Sequence, residues 1–321
     1  MIGLIFPRKV IWWFGLRVKE IAVRFSNIAA GIVVGKIGSA TASFDEIDEF
    51  QRQFYPASIE NRIKTIDEIS KNKKIRVFIG ENDSSDMTFD IIQKKIILND
   101  IYQFIDTTFI ERFDDRIKRL ATARQHLKDN ILKLNIKSKY ICVIDLDDVI
   151  NDVFDNKLLD NLIYKLETNR QKYFGVSLSS KPYYYDILNF ESDEFPNKNI
   201  KKLQNNKSIK SYRNRKKFIY SAQYSLSKET DFECISGFNG LCIYPYEEYV
   251  KSNYTENTSD QTPEHLLFNR YLNQNLNKKI LITANFFKMP NEHKPLNNIF
   301  QFVFEKFIKY LNIYYNKFFT N

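Results

Sequence analysis

The stretch Tyr140-Ile-Cys-Val-Ile-Asp-Leu-Asp-Asp148 decides the fold class of this 321-residue chain. Its first five residues form a continuous apolar run, which is typical of a strand buried on both faces of a parallel sheet. Acidic residues follow at once, and ligands of open α/β sheets bind beyond the carboxyl ends of the strands. The stretch therefore predicts a central parallel strand that ends at a functional site.

Helical and strand patterns alternate on both sides of this stretch. A strand is predicted at Lys74–Ile79 with a helix from Thr88, and a long amphipathic helix covers residues 111–134. A helix near 158–169 and a strand at 173–178 follow. This order predicts an α/β fold with an open, mostly parallel, Rossmann-type sheet that is flanked by helices.

The two ends of the chain differ from this central region. We predict an N-terminal helical or apolar segment at residues 1–26, a main domain at 27–295 and a C-terminal amphipathic helix at 296–321. A short apolar run at Ala29–Gly35 indicates a buried strand that enters a loop.

The C-terminal helix combines many aromatic residues with an excess of lysine over glutamate. Such a helix can lie on an anionic membrane surface, which would suit a lipid-linked acceptor. The alternative is a helix that packs across the domain.

Composition limits the partners and the compartment. The net charge is +9 with a pI near 9.1, which favours a diphosphate-bearing substrate, nucleic acid or an anionic membrane face. The three cysteines form no CxxC pair, so neither a disulfide framework nor a zinc site is indicated. No stretch has the length of a transmembrane helix, and we expect a cytoplasmic protein, soluble or peripheral at the cytoplasmic face of a membrane.

The first candidate site is formed by Asp145 and Asp147, two residues apart at the end of the predicted strand. Both carboxylates can turn toward one cation, and hard oxygen ligands suit Mg²⁺ or Mn²⁺. The cation would bridge the phosphates of a bound nucleotide and act as a Lewis acid. The alternative is an acidic turn after a core strand.

The second candidate is the polar loop after the strand that ends near Ile79. Glu81, Asn82, Asp83 and Asp86 could hydrogen-bond the edge of a nucleobase and the ribose. The alternative is an N-cap loop for the helix that begins near Thr88.

Three further motifs lie downstream: Tyr183-Tyr-Tyr-Asp186, Ser236-Gly-Phe-Asn-Gly240 and Pro263-Glu-His-Leu-Leu-Phe-Asn269. Gly237 and Gly240 would let the backbone approach a sugar closely. Glu264 could act as a general base or orient an acceptor hydroxyl. His265 could complete a metal shell or touch a diphosphate, whereas the alternative for the Glu-His pair is ordinary capping at a helix start.

The order of these motifs resembles GT-A-fold glycosyltransferases, both family-2-like enzymes and the capsule and Anp1-type polysaccharide group. The loop from Glu81 matches the nucleotide loop D-D-G-S-T-D-G-T, and Arg119 and Arg124 match R-x-x-x-x-A-R-N, with Gln125 in place of asparagine. The predicted strand at Ala29–Gly35 lacks the arginine-asparagine ending that the resemblance would imply.

The resemblance implies a metal-dependent hexosyltransferase that acts in polysaccharide or glycoconjugate synthesis. Its donor would be a UDP- or GDP-type nucleotide sugar, and its acceptor a glycan or lipid-linked molecule. The resemblance also implies that the matching arginines lie near the donor nucleotide or its phosphates.

Two other functions fit part of the sequence. Val143–Val149 also fits the nucleophile motif of haloacid-dehalogenase-type phosphatases, with Asp145 as nucleophile and Asp147 as acid and base. A basic nucleic-acid-binding protein would need aromatic and basic residues interleaved on a defined module. No such module is found, and we expect no nucleic-acid partner.

Overall fold

The computed structural model describes residues 59–82, 88–134, 136, 138–145, 155–196, 215–255 and 262–289. The predicted segment 1–26, the predicted strand at residues 29–35 and the predicted helix at 296–321 lie outside the described residues. None of the described helices is long and apolar enough to cross a membrane.

The elements of the first half alternate between helices and strands. They are α1 (Ile59–Ser70), β1 (Val77–Glu81), α2 (Thr88–Leu98), β2 (Tyr102–Asp106), a 3₁₀ helix (Thr108–Arg112), α3 (Arg116–Lys133) and β3 (Tyr140–Ile144). The predicted helix over 111–134 is thus divided, because the Asp115 side chain caps a new helix by accepting from the Lys118 amide at 2.8 Å.

The second half contributes most of the sheet. Its elements are α4 (Asn156–Thr168), β4 (Tyr173–Lys181), a π-helical turn (Arg215–Tyr220), α5 (Ser221–Leu226), β5 (Phe232–Cys234), β6 (Leu241–Pro245), α6 (Tyr246–Tyr249), α7 (Glu264–Leu276) and β7 (Lys279–Lys288).

The strands form two sheets in the described part of the chain. β1 and β2 are parallel, and a larger sheet has the order β3-β6-β4-β7-β5. β4 and β7 are parallel, whereas β6 is antiparallel to β3 and β4, and β5 is antiparallel to β7. The α/β class is confirmed, and the larger sheet is mixed rather than mostly parallel.

The position of β3 differs from the prediction of a central strand. In the described part of the larger sheet β3 is the terminal strand; four of its residues are partly buried and Cys142 is exposed. β4 and β6 form the buried centre, with every residue of β6 buried. The carboxyl end of β3 still leads directly to Asp145.

Helix α4 covers one face of the larger sheet. It presents Leu158, Leu159, Leu162 and Leu166 at helical spacing, and these pack on a buried cluster with Val176 and other sheet residues. The opposite face carries an aromatic cluster in which Phe174 and Tyr244 pack with Phe268 of α7. Because side chains alternate along β4 and β6, neighbouring residues belong to different clusters.

Replacement of Leu162 by Ala tests the packing of α4. Leu162 is fully buried, so the variant should lose about 2–5 kcal/mol of unfolding free energy through lost burial and a cavity. Urea denaturation followed by circular dichroism measures this loss. Tyr164 on the same helix is 68% exposed, so Tyr164→Ala should change stability by no more than about 0.5 kcal/mol. Equal effects of the two substitutions would contradict the packing described.

Candidate active site

Three of the predicted site residues meet in one ion-pair cluster. The Arg124 side chain on α3 donates from Nη2 to Oδ1 of Asp145 at 2.8 Å and from Nε to Oε1 of Glu264 at 2.9 Å. Asp145 follows β3, and Glu264 is the first residue of α7. The Glu264 side chain is only 5% exposed, whereas those of Arg124 and Asp145 are 21% and 24% exposed. One arginine therefore joins two carboxylates from distant parts of the sequence.

The surroundings keep Arg124 charged. Desolvation opposes its charge, but the carboxylates of Asp145 and Glu264 outweigh this and raise the pKa of Arg124 above its ordinary value. The guanidinium carbon also lies 5.3 Å from the centroid of the Phe238 ring. Arg124 is thus a permanent cation that balances the two acidic groups.

His265 is held by aromatic stacking next to this cluster. Its ring stacks on Phe238 with centroids 3.6 Å apart, and Tyr254 meets it edge-on at 5.4 Å. Burial, together with the charge of Arg124, lowers the pKa of His265 well below its usual value, which favours the neutral ring. Neither ring nitrogen has a hydrogen-bond partner among the described residues.

The predicted metal set of Asp145, Asp147 and His265 is brought together only in part. Asp147 lies outside the described residues. Within the described ranges, no three His, Cys, Asp or Glu side chains form a group that could hold a metal ion. The described donors by themselves therefore do not make a metal site.

The Asn239–Gly240 turn fixes the backbone around Asp145. Both residues have positive φ, 48° and 83°, and the Leu241 amide donates to the Phe238 carbonyl at 3.1 Å across the turn. Asparagine followed by glycine suits such a turn, since these residues tolerate left-handed backbone best. The Gly240 carbonyl accepts from the Asp145 amide at 2.9 Å.

Asn239 also links the turn to the loop after β4. Its buried side chain donates to the Leu178 carbonyl at 2.9 Å and accepts from the Asp186 amide at 2.9 Å. The same turn therefore contacts the backbone at Asp145 and at Asp186.

Asp186 is a third carboxylate near the Arg124 ion pairs. The sequence marked it within the Tyr-Tyr-Asp motif but assigned it no role. Desolvation raises the pKa of Asp186 to about 7; hydrogen bonds from Asn189 oppose the shift, and the charges of Asp145 and Glu264 add to it. The sequence signal was an acidic residue shortly after a buried strand, the same signal that identified Asp145.

Gly237 is placed by packing, not by an approach to the surface. A Cβ atom there would lie 2.6 Å from Cδ1 of Ile282, 2.9 Å from Sγ of Cys234 and 3.2 Å from the Tyr184 hydroxyl oxygen. The residue thus has a role in the core, next to the strand pair β5 and β7.

The structure describes the other predicted nucleotide-binding residues only in part. Glu81 ends β1 and is buried, and its carbonyl accepts from the Thr107 hydroxyl. Oδ1 of Asn82 is buried without a hydrogen-bond partner among the described residues. Arg119 forms no ion pair with any described residue. An α-helix turns by about 100° per residue, so the five positions from Arg119 to Arg124 place them roughly 140° apart around the axis of α3. Asp83 and Asp86 lie outside the described residues.

Helix α3 supports the site through two residues that sequence reasoning did not select for this purpose. Oε1 of Gln125 accepts from the Tyr254 amide at 2.8 Å. The buried Lys128 ammonium donates to the carbonyls of Val250 and Ser252. These bonds hold the loop that places Tyr254 against His265.

Comparisons with known proteins give a short match and no family. No protein-family model matches the chain. "Bifunctional protein HldE" of Aliarcobacter butzleri is 50% identical over 50 residues, which are 16% of this chain and 10% of that protein. The corresponding proteins of Nitratiruptor and Campylobacter concisus are 51% identical over 55 residues (17% of this chain) and 44% identical over 69 residues (20% of this chain). The chain spans only 10% to 14% of the length of these relatives.

Among solved structures, 4-diphosphocytidyl-2C-methyl-D-erythritol synthase of Anaerococcus prevotii matches 78% of this chain and 86% of its own. The TM-score is 0.33 and the sequence identity 11%. At that TM-score the two chains are not close enough to support a functional inference.

Replacement of Arg124 by Met tests the ion-pair cluster. Loss of the cation leaves the buried Glu264 carboxylate and Asp145 without a counter-charge. We expect the free energy of unfolding to fall by about 2 kcal/mol or more. Breaking a fully buried pair costs roughly 3–5 kcal/mol, and the loss here should be smaller because Asp145 keeps part of its hydration. Urea denaturation at pH 7 measures it. Arg116→Met, at an exposed position of the same helix, should stay within about 0.5 kcal/mol; matching losses would refute the bridge.

Replacement of Gly237 by Ala tests its packing role. The added methyl group would overlap Ile282 and Cys234, so the variant should lose about 1–3 kcal/mol. Thermal and urea denaturation measure the loss. The substitution Ile282→Val removes the nearest overlapping atom. In an Ile282→Val background, the alanine at position 237 should therefore cost less stability than it costs in the wild type. No destabilisation by the alanine would contradict this role.

Proposed function

We propose that this chain is a glycosyltransferase that moves a sugar from a UDP- or GDP-type nucleotide sugar to a hydroxyl of a glycan or lipid-linked acceptor. The observation that carries the proposal is the cluster in which Arg124 joins Asp145 and Glu264. These three residues come from three different motifs of the family resemblance, and they meet beyond the carboxyl end of β3.

The charges of the cluster suit a diphosphate leaving group. An arginine presents a fixed fork of donors that matches phosphate oxygens, and a preorganised cation stabilises negative charge that develops during transfer. In the proposal, Arg124 exchanges part of its carboxylate contacts for contacts with the donor phosphates. Glu264 holds the guanidinium in place from its buried side.

The divalent metal remains part of the proposal on sequence grounds. Asp145 and Asp147 would hold Mn²⁺ or Mg²⁺ through their oxygen atoms, with His265 as a further donor. The metal would supply Lewis-acid stabilisation of the departing diphosphate. The loop residues Glu81 to Asp86, together with Arg119, would contact the nucleoside.

The cellular setting is proposed from the sequence as well. The excess of lysine in the C-terminal region favours the cytoplasmic face of an anionic membrane, where a lipid-linked acceptor would be available. Surface polysaccharide or glycoconjugate synthesis is the process that such an acceptor suggests.

Thermal unfolding in the presence of nucleotides tests the proposal. UDP or GDP with Mn²⁺ should raise the Tm of the chain, because a ligand that binds only the folded state stabilises it by about 2.7 kcal/mol at a hundred times its Kd. CMP and metal-free samples serve as comparisons. Asp145→Asn should abolish the metal-dependent part of the shift, and Asp114→Asn, at an exposed position, should leave it unchanged.

The phosphatase alternative gives a different result in the same samples. It predicts no stabilisation by any nucleoside diphosphate, and it predicts turnover of para-nitrophenyl phosphate that requires Asp145 as nucleophile. That pair of outcomes would replace the transferase proposal.

A further inference from the structure

The loop after β4 holds Asp186 in a fixed position beside the Arg124 cluster. The Tyr184 amide donates to the Gln223 carbonyl at 2.8 Å, and the Gln223 side chain donates back to the Tyr184 carbonyl at 2.8 Å. The Asp186 amide donates to the Asn239 side chain at 2.9 Å. The loop is thus tied to α5 on one side and to the turn beside Asp145 on the other.

Asp186 differs from the other two carboxylates of the site in its partners. Asp145 and Glu264 both accept from the Arg124 guanidinium. The Asp186 carboxylate accepts from the Asn189 side chain at 2.8 Å and forms no ion pair with a described residue. Among these three acids, Asp186 is therefore the one that does not accept a hydrogen bond from the Arg124 guanidinium.

Asp186 also differs from Glu264 in access. Only 5% of the Glu264 side chain is exposed, and Arg124 covers one of its oxygen atoms. Asp186 is only partly buried. As a whole residue Asp186 is more exposed than Glu264, so of the two acids it is the one that an acceptor hydroxyl would approach with less displacement of protein atoms.

We propose that Asp186, and not Glu264, is the catalytic residue that takes the proton of the acceptor hydroxyl. This inference rests on the proposed transferase function. In the step, the acceptor oxygen forms a bond to the anomeric carbon of the donor sugar while its proton moves to the Asp186 carboxylate. The bond between the anomeric carbon and the diphosphate oxygen breaks, and its electron pair leaves with the nucleoside diphosphate. Glu264 is then a positioning residue that acts through Arg124.

The electrostatics of the cluster agree with this role. A general base works best when its pKa lies near the working pH. The pKa of Asp186, raised to about 7 mainly by desolvation, meets that condition. Once the diphosphate engages Arg124, Asp186 can receive the proton without breaking an ion pair to any described residue.

Donor breakdown with water as the acceptor tests the inference. We would incubate three proteins, the wild type, Asp186→Asn and Glu264→Gln, with Mn²⁺ and with UDP- or GDP-linked hexoses. The released UDP or GDP is quantified, and the Tm shift that each nucleotide gives is measured for the same proteins. Asp186→Asn should keep the Tm shift and lose about 100-fold or more in release, as expected when a general base is removed. Glu264→Gln should instead reduce the Tm shift, since it loosens Arg124.

A second variant guards against a folding defect. Asp186→Ala opens space for a small carboxylate, and added sodium formate should restore part of its release, with circular dichroism checking that the variant is folded. Rescue by formate supports a proton acceptor, because formate cannot repair misfolded protein.

Other results would overturn the inference. If Asp186→Asn releases the nucleotide within about threefold of the wild-type rate, Asp186 is not the base. If Glu264→Gln loses about 100-fold in release and keeps its Tm shift, the base role returns to Glu264. Loss of the Mn²⁺-dependent Tm shift in Asp186→Asn would make Asp186 a metal ligand instead. A wild type that neither binds a nucleotide nor releases one fails at the proposed function itself, and the role of Asp186 fails with it.

Discussion

The charge of Arg124, held in a partly dehydrated place, constrains the site more than any other feature. A guanidinium that loses water needs counter-charges close by, and an unpaired buried carboxylate is equally costly. Arg124 meets both requirements at once by pairing with Asp145 and Glu264. Helix α3, the end of β3 and the start of α7 are therefore fixed relative to one another by a single side chain.

The backbone turn at Asn239–Gly240 complements this electrostatic constraint. It directs the chain into the buried strand β6 and accepts hydrogen bonds from the backbone amides of residues that follow β3 and β4. Aromatic packing completes the site, since the Phe238 ring lies close to the Arg124 guanidinium and stacks on the ring of His265. Phe238 and Asn239, which have no proposed chemical role, thus help to position the polar groups of the site.

Local patterns predicted some elements well and others poorly. The strand at Tyr140–Ile144 is confirmed with the predicted bounds, because five apolar residues followed by acids have few other local solutions. The break before α3 was not predicted, since the helical period continues across it and only the cap of Asp115 reveals it. The antiparallel course of β6 depends on pairing with β3 and β4, which no local pattern records.

The sequence by itself determined the α/β class, the strands β1, β3 and β4 with the helices α2, α3 and α4, and the residue types that carry the proposed chemistry. Period and composition report which faces are buried and where a strand ends, and these are local properties. Only the tertiary structure decided that Arg124 meets Asp145 and Glu264, that Gly237 packs in the core, and that Asp186 lies beside them without an ion pair to a described residue. The physical reason is that desolvation and ion pairing depend on distances between residues separated by 21 and 140 positions, and sequence patterns do not fix such distances.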